Sequence, residues 1–237
     1  ETPASPWGRR SRDRLAELAH RHRVPAWKPP PAERREFIER LQRAGLHEDA
    51  LTEIALYRRQ GRAAGAADAA LLEANSLVAL RRNDDAVRAA AEVRRLAPKS
   101  PLAAEAGLVA VRALRREERT AGVRQWVSWL EKSFPASDEA RQARFDLGVH
   151  LVNAGETEDG TAVLESVAAG ATRPAADALW RLCWVYRGSG KTDQATATLR
   201  RLLDRFPLSP YRRAAQYWLA RFCAAQDPEG SKTLYRT

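Results

Sequence analysis

The sequence predicts an all-α solenoid of about five helical hairpins followed by a truncated sixth. Three observations carry that expectation. The hydrophobic content of 44% is supplied largely by Ala, Leu and Val, with few clustered β-branched or aromatic residues. Small or apolar residues at Ala50, Ala86, Val123, Gly160 and Ala195, each just inside a second helix, stand 36, 37, 37 and 35 positions apart. The same punctuation also recurs, as Ala97-Pro98-Lys99-Ser100, Phe134-Pro135-Ala136-Ser137 and Phe206-Pro207-Leu208-Ser209. There Pro stops one helix and Ser caps the next.

Residues 1–31 differ from the rest of the chain and read as an N-terminal extension or linker. A short amphipathic piece, Asp13 to Arg23, leads into Pro25-Ala26-Trp27-Lys28-Pro29-Pro30-Pro31, where consecutive prolines enforce extended backbone. His20 and His22 have no further ligands nearby, so no metal is expected. The chain begins at Glu1 and contains no Met, which suggests a processed product or a segment of something longer.

The solenoid is expected over 32–237, with turns at Ala44-Gly45, Arg82-Asn83-Asp84, Arg116-Glu117-Glu118, Asn153-Ala154-Gly155 and Gly188-Ser189-Gly190. The clearest unit is Pro174 to Pro207. Leu179, Leu182, Cys183 and Tyr186 fall at i, i+3, i+4 and i+7, one face of a helix, and Ala195, Leu199 and Leu202 form the matching face of a second. Pro174 suits a first helical turn, the glycines stop that helix, and Thr192 or Asp193 can cap the next. Gly230 to Thr237 reads as the start of a second helix left incomplete.

Net charge is +10 and comes mostly from Arg, with only five Lys. That balance fits anionic partners. The arginines are spread along every helix, however, so a solvated helix surface explains them better than a nucleic-acid footprint. No apolar run approaches the roughly 18 residues that a membrane span needs. Cys183 and Cys223 both sit on apolar faces and are expected to be buried free thiols, with a disulfide between neighbouring repeats as the lesser reading.

The Pro174–Pro207 unit resembles the tetratricopeptide repeat, whose spacing is met by Leu179, Leu182, Cys183, Tyr186, Ala195, Leu199, Leu202 and Pro207. It departs at Cys183, where the family prefers the Gly that Leu147-Gly148 keeps in the preceding unit. A narrower resemblance covers roughly residues 135–237. Trp180-Arg181-Leu182-Cys183-Trp184, Arg187-Gly188-Ser189-Gly190, Phe206-Pro207-Leu208-Ser209-Pro210-Tyr211, Ala215-Gln216-Tyr217-Trp218-Leu219-Ala220-Arg221 and Leu234-Tyr235-Arg236 succeed one another. That order is similar to the N-terminal superhelical region of soluble lytic murein transglycosylases. The resemblance implies a periplasmic or envelope location. It also implies a non-catalytic region that positions a glycan strand or partner for a lysozyme-like domain elsewhere in a parent chain.

The family's catalytic Glu-Ser and Gly-Leu-Met-Gln motifs are missing. Leu164-Glu165-Ser166 contains a Glu-Ser pair, but inside a second helix, where Glu165 is expected to be exposed. This chain alone should cleave nothing, and the other carboxylates are expected at exposed helical positions rather than paired in a cleft. Gly188-Ser189-Gly190-Lys191-Thr192 lacks the first glycine of a phosphate loop and comes after no strand. No cofactor is expected.

In tetratricopeptide stacks the first helices line the concave face. The resemblance places Asp177, Trp180, Trp184 and Arg187 there, with Phe145 and Val149 from the unit before and Tyr217 and Arg221 from the unit after. Trp180, Trp184, Arg187, Tyr217 and Arg221 are the candidate groove residues, for stacking sugar rings or docking a peptide. The competing reading has these rings packing against adjacent helices, as expected for Trp126 and Trp129 on a second helix. The alternative to the murein reading is a free-standing envelope scaffold for protein partners. A third is a basic solenoid that touches nucleic acid.

Overall fold

The computed structural model describes Glu17, residues 30–60 and residues 63–224. Apart from Glu17, Pro30 and Pro31, the last of which opens the first described helix, the expected extension with its two histidines lies outside the described residues, as does the expected incomplete helix from Gly230. Between residues 31 and 224 the chain forms α1 (Pro31–Arg43), α2 (His47–Gln60), α3 (Ala63–Ala79), α4 (Asn83–Leu96), α5 (Pro101–Arg116), α6 (Thr120–Ser133), α7 (Asp138–Asn153), α8 (Thr157–Ala168), α9 (Arg173–Gly188), α10 (Thr192–Arg205) and α11 (Arg212–Ala224). No strand occurs among the described residues. The all-α, tetratricopeptide-like solenoid expected from the repeat is what forms.

The helices belong to two compact units, Glu1–Glu117 and Glu118–Thr237. In the first, α1 to α5 pack each on the next, and the first helices α1, α3 and α5 also touch in sequence. The second repeats this scheme with α6 to α11, where α7 lies against α9. Second helices are tied side by side by charge: Arg58 on α2 reaches Glu92 on α4 at 3.0 Å, and Arg201 on α10 reaches Glu165 on α8 at 3.0 Å. Such nearest-neighbour stacking is how a hairpin with one apolar face buries it.

The five repeat markers explain the period. Ala50, Ala86, Val123, Gly160 and Ala195 are each the fourth residue of their helix, and all five are buried. They mark where the second helix crosses its neighbour. Between α7 and α8 the crossing leaves no room for a side chain. A Cβ at Gly160 would stand 2.8 Å from the Val152 amide nitrogen and 2.9 Å from the Gly148 carbonyl oxygen. A Cβ at Gly148 would in turn meet Leu164 Cγ at 2.8 Å. The α9–α10 hairpin carries Cys183 and Ala195 at the corresponding places, both fully buried.

The first helices α1, α3, α5, α7 and α9 all end in the same way. Gly45, Arg81, Glu118, Gly155 and Gly190 have φ of 75°, 59°, 55°, 88° and 75°, the left-handed conformation. In four of these turns the next amide closes back on the helix at 2.9 Å: Leu46 to Leu41, Arg82 to Leu77, Glu156 to Leu151 and Lys191 to Tyr186. This Schellman pattern satisfies carbonyls that the helix end would otherwise leave unpaired. In the second repeat it displaces the turn from its expected place. Asn83 opens α4, and the turn runs over Leu80 to Arg82.

The Pro-x-Ser links also form as the sequence indicates. Ser100, Ser137 and Ser209 amides bond back to the carbonyls of Ala97, Phe134 and Phe206 at 3.0, 3.0 and 2.9 Å. Ser100 and Ser137 hydroxyls then accept from Leu102 and Ala140 at the starts of α5 and α7. Thr192 and Asp193 do not cap α10. Lys191 occupies the N-cap and no side chain caps there, because the preceding Schellman turn places Thr192 already inside the helix.

One core cluster of unit 1 gathers Ile38, Leu41, Ala50, Ile54, Tyr57, Ala69 and Leu72, and Val93, Val111 and Leu114 are buried further along. The unit 2 core gathers Leu164, Leu179, Leu182, Cys183, Leu199, Leu202, Leu219 and Phe222 among others. Both cysteines are free thiols, Cys183 buried and Cys223 half-buried.

Candidate functional site

The helical spacing that buries Leu179, Leu182 and Cys183 also sets Trp180, Trp184 and Arg187 on the adjoining face of α9. One repeat on, burial of Leu219 and Phe222 sets Trp218 beside α9 and leaves Tyr217 and Arg221 outward on α11.

The rings form one continuous chain across the two helices. Tyr211 stacks on Trp180, centroids 5.1 Å apart and planes within 6°. Trp180 meets Trp184 edge to face at 5.4 Å, and Trp184 meets Trp218 edge to face at 4.9 Å. Trp218 continues to Tyr217 at 5.3 Å and to Phe222 at 5.8 Å. Each such pair adds about 0.5–1.5 kcal/mol beyond the area it buries. Phe145 and Val149 of α7 are half-buried against the same core.

Two guanidinium groups lie over this chain. Arg187 Cζ is 5.6 Å from the Phe222 centroid, and Arg221 Cζ is 5.6 Å from that of Trp218. Arg221 Nη1 also donates to the Tyr217 hydroxyl at 3.1 Å. Both arginines are exposed, and Tyr217 is 45% exposed. The carboxylate of Asp177 is bound to the Tyr211 hydroxyl. Burial first, and then that bond, push the Tyr211 pKa up against the opposing charge of Arg173.

The five sequence-predicted residues therefore meet on one surface, but Trp180 and Trp184 do so as half-buried packing rings. Tyr211, Trp218 and Phe222 complete the arrangement and were not among the candidates. The i, i+4 spacing of Trp218 and Phe222, matching Trp180 and Trp184, was the available signal. Trp126 and Trp129 pack edge to face at 5.4 Å on α6, as a second-helix pair.

Glu165 corrects an expectation. It is half-buried, accepting from the Tyr186 hydroxyl at 2.9 Å and from Arg201 at 3.0 Å, so it joins α8, α9 and α10. Tyr186 is pushed up to about 12 by burial and by that carboxylate. The carboxylates are not uniformly exposed either. Asp146 is buried on α7 with Gln142 donating to it. Gly188 to Thr192 is the Schellman turn closing α9. Among the described residues no group of three or more His, Cys, Asp or Glu is placed to hold a metal ion, and no helix is long and apolar enough to cross a membrane.

Residues 177–209 match the tetratricopeptide repeat family model. The solved structures add likeness over much more of the chain. A crystal structure of MamA aligns with TM-score 0.58 at 14% identity, covering 74% of this chain and 91% of that one. The C-terminal part of a TPR repeat-containing protein from Cytophaga hutchinsonii aligns with TM-score 0.62 at 15% identity, covering 85% and 76%. YrrB, described as a TPR protein with an unusual peptide-binding site, aligns with TM-score 0.51 at 17% identity, covering 86% and 97%. No curated protein matches this chain. The chain thus carries a tetratricopeptide-like helical domain, with one repeat recognisable at the level of sequence.

Proposed function

We propose that this chain is a scaffold for protein–protein interaction that docks a partner segment on the first-helix face of α9 and α11. One observation carries the proposal. The half-buried aromatic chain ends at Tyr217, Arg187 and Arg221, which are exposed on α9 and α11 while Leu219 and Phe222 beside them are buried. Amphipathic rings beside arginine are the residue types enriched at protein interfaces. The fold is shared with YrrB, whose description includes a peptide-binding site.

A second reading makes the chain the non-catalytic helical-repeat region of a peptidoglycan lytic transglycosylase, positioning a glycan strand in the periplasm. Its support is the sequence resemblance over residues 135–237 and the presence of arginine beside rings. The two readings separate in one experiment. A photo-reactive phenylalanine analogue is placed at Tyr217, and at the exposed Leu208 as a control. Protein docking predicts discrete protein adducts from position 217 in cells, lost with Arg187→Glu and absent from position 208. Adducts that muramidase digestion removes favour the glycan reading. Equal labelling from both positions contradicts a docking face.

A further inference from the structure

We infer that the partner segment is acidic, with carboxylates flanking an apolar side chain, and that Arg187 and Arg221 read those carboxylates. The inference rests on the docking reading above and names the chemistry of what docks.

Charge complementarity points to an acidic partner first. α9 and α11 together carry Arg173, Arg181, Arg187, Arg212, Arg213 and Arg221 against a single carboxylate, Asp177. That carboxylate is already bound to Tyr211. Elsewhere on this chain arginines meet acids: Arg34 meets Glu53, Arg35 meets Asp68, Arg124 meets Glu156 and Asp159, and Arg201 meets Glu165. Arg187 and Arg221 contact rings and the Tyr217 hydroxyl instead, and among the described residues neither meets a carboxylate.

Preorganisation points the same way. Each guanidinium lies over a ring, and the two rings, Phe222 and Trp218, have centroids 5.8 Å apart. A guanidinium held over a ring keeps its in-plane N–H donors for a carboxylate fork and has already lost much of its side-chain freedom.

The covered ring faces separate peptide from base or sugar stacking. Stacking platforms need free ring faces. Tyr211 covers a face of Trp180, while Arg187 and Arg221 lie over Phe222 and Trp218. Exposed N–H groups beside the partly exposed Tyr217 suit a carboxylate next to an apolar side chain.

The test pans a random-peptide phage library against the full chain and titrates the selected peptides in synthetic form. Acidic sequences containing an apolar residue are expected to be enriched. Their affinity should fall roughly tenfold with Arg187→Glu plus Arg221→Glu and decline steeply with salt. Lys-for-Glu versions of the peptides should recover binding to the reversed chain. Neutral or basic peptides that are lost with Tyr217→Ser would overturn the acidic partner and leave the docking face standing. No selected peptide, or peptides indifferent to Tyr217→Ser, would overturn both. Tighter binding by Asp227→Asn plus Glu229→Gln would make this chain's own acidic segment the occupant and overturn a partner in trans. Oligo(dT) binding tighter than the selected peptides, and lost with the same arginine reversals, would overturn it in favour of nucleic acid.

Discussion

At the residue scale, the turn glycines and their substitutes offer a controlled comparison. Gly45, Gly155 and Gly190 have open space where a Cβ would go, so replacing them by Ala adds only left-handed backbone strain. Each replacement should cost about 1 kcal/mol. Arg81 and Glu118 already bear that strain. Arg81→Gly and Glu118→Gly should stabilise by up to about 1 kcal/mol, partly offset by the freer unfolded chain. Thermal unfolding of Arg81→Gly beside Gly155→Ala measures both signs, and a lower Tm for Arg81→Gly would contradict the turn assignment. Cys183 supplies a pH dependence. Burial pushes its thiol up to about 12, whereas an unfolded thiol titrates near ~8.5. The fold favours the protonated form, so this contribution is full below pH ~8.5 and is lost as pH rises from there towards 12. Tyr186 acts in the same direction from pH ~10 upward. Cys183→Ala should delay the start of alkaline destabilisation from about pH 8.5 to about pH 10. An unchanged alkaline profile by circular dichroism would count against that burial.

At the element scale, helix ends decide how much of the fold is legible in the sequence. Pro-x-Ser links and Gly-ended first helices are local chemistry, so Ala97–Ser100, Phe134–Ser137 and Phe206–Ser209 are legible. The α8–α9 link has neither device and is closed from a distance. The Arg205 guanidinium donates to the carbonyls of Ala168, Ala169 and Gly170 at 2.6, 3.1 and 2.6 Å. Nothing local in Ala168 to Thr172 announces an arginine 36 residues away. Glu165 departs from expectation for the same reason, since its partners Tyr186 and Arg201 lie on other helices. Arg205→Met should therefore cost about 2 kcal/mol through loss of charge-assisted bonds to helix-terminal carbonyls. Arg200→Met, on the same helix with only a 4.0 Å approach to Cys223, should cost almost nothing. Urea unfolding monitored in the transition reporting residues 118–224 compares them, and equal losses would contradict the cap.

At the scale of the whole molecule, period and face come from one geometric fact: within each unit, a hairpin leaves its first helix beside the next first helix. That made the candidate groove partly legible. Trp180, Trp184, Arg187, Tyr217 and Arg221 follow from helical register combined with the first-helix face that the repeat resemblance implies. Trp218 and Tyr211 are not, because only stacking shows which rings of neighbouring repeats meet. The proposal assigns docking to this face, while ion pairs tie the second helices to one another. The most direct measurement is an indole N–H chemical-shift titration of the isotope-labelled chain with a peptide selected against it. Trp180, Trp184 and Trp218 report the proposed face, while Trp126 and Trp129 on α6 serve as internal controls. Docking on α9 and α11 predicts that the first three indoles shift in saturable, salt-sensitive fashion while the α6 pair stays fixed. Shifts centred on Trp126 and Trp129, with Trp184 and Trp218 unmoved, would contradict it.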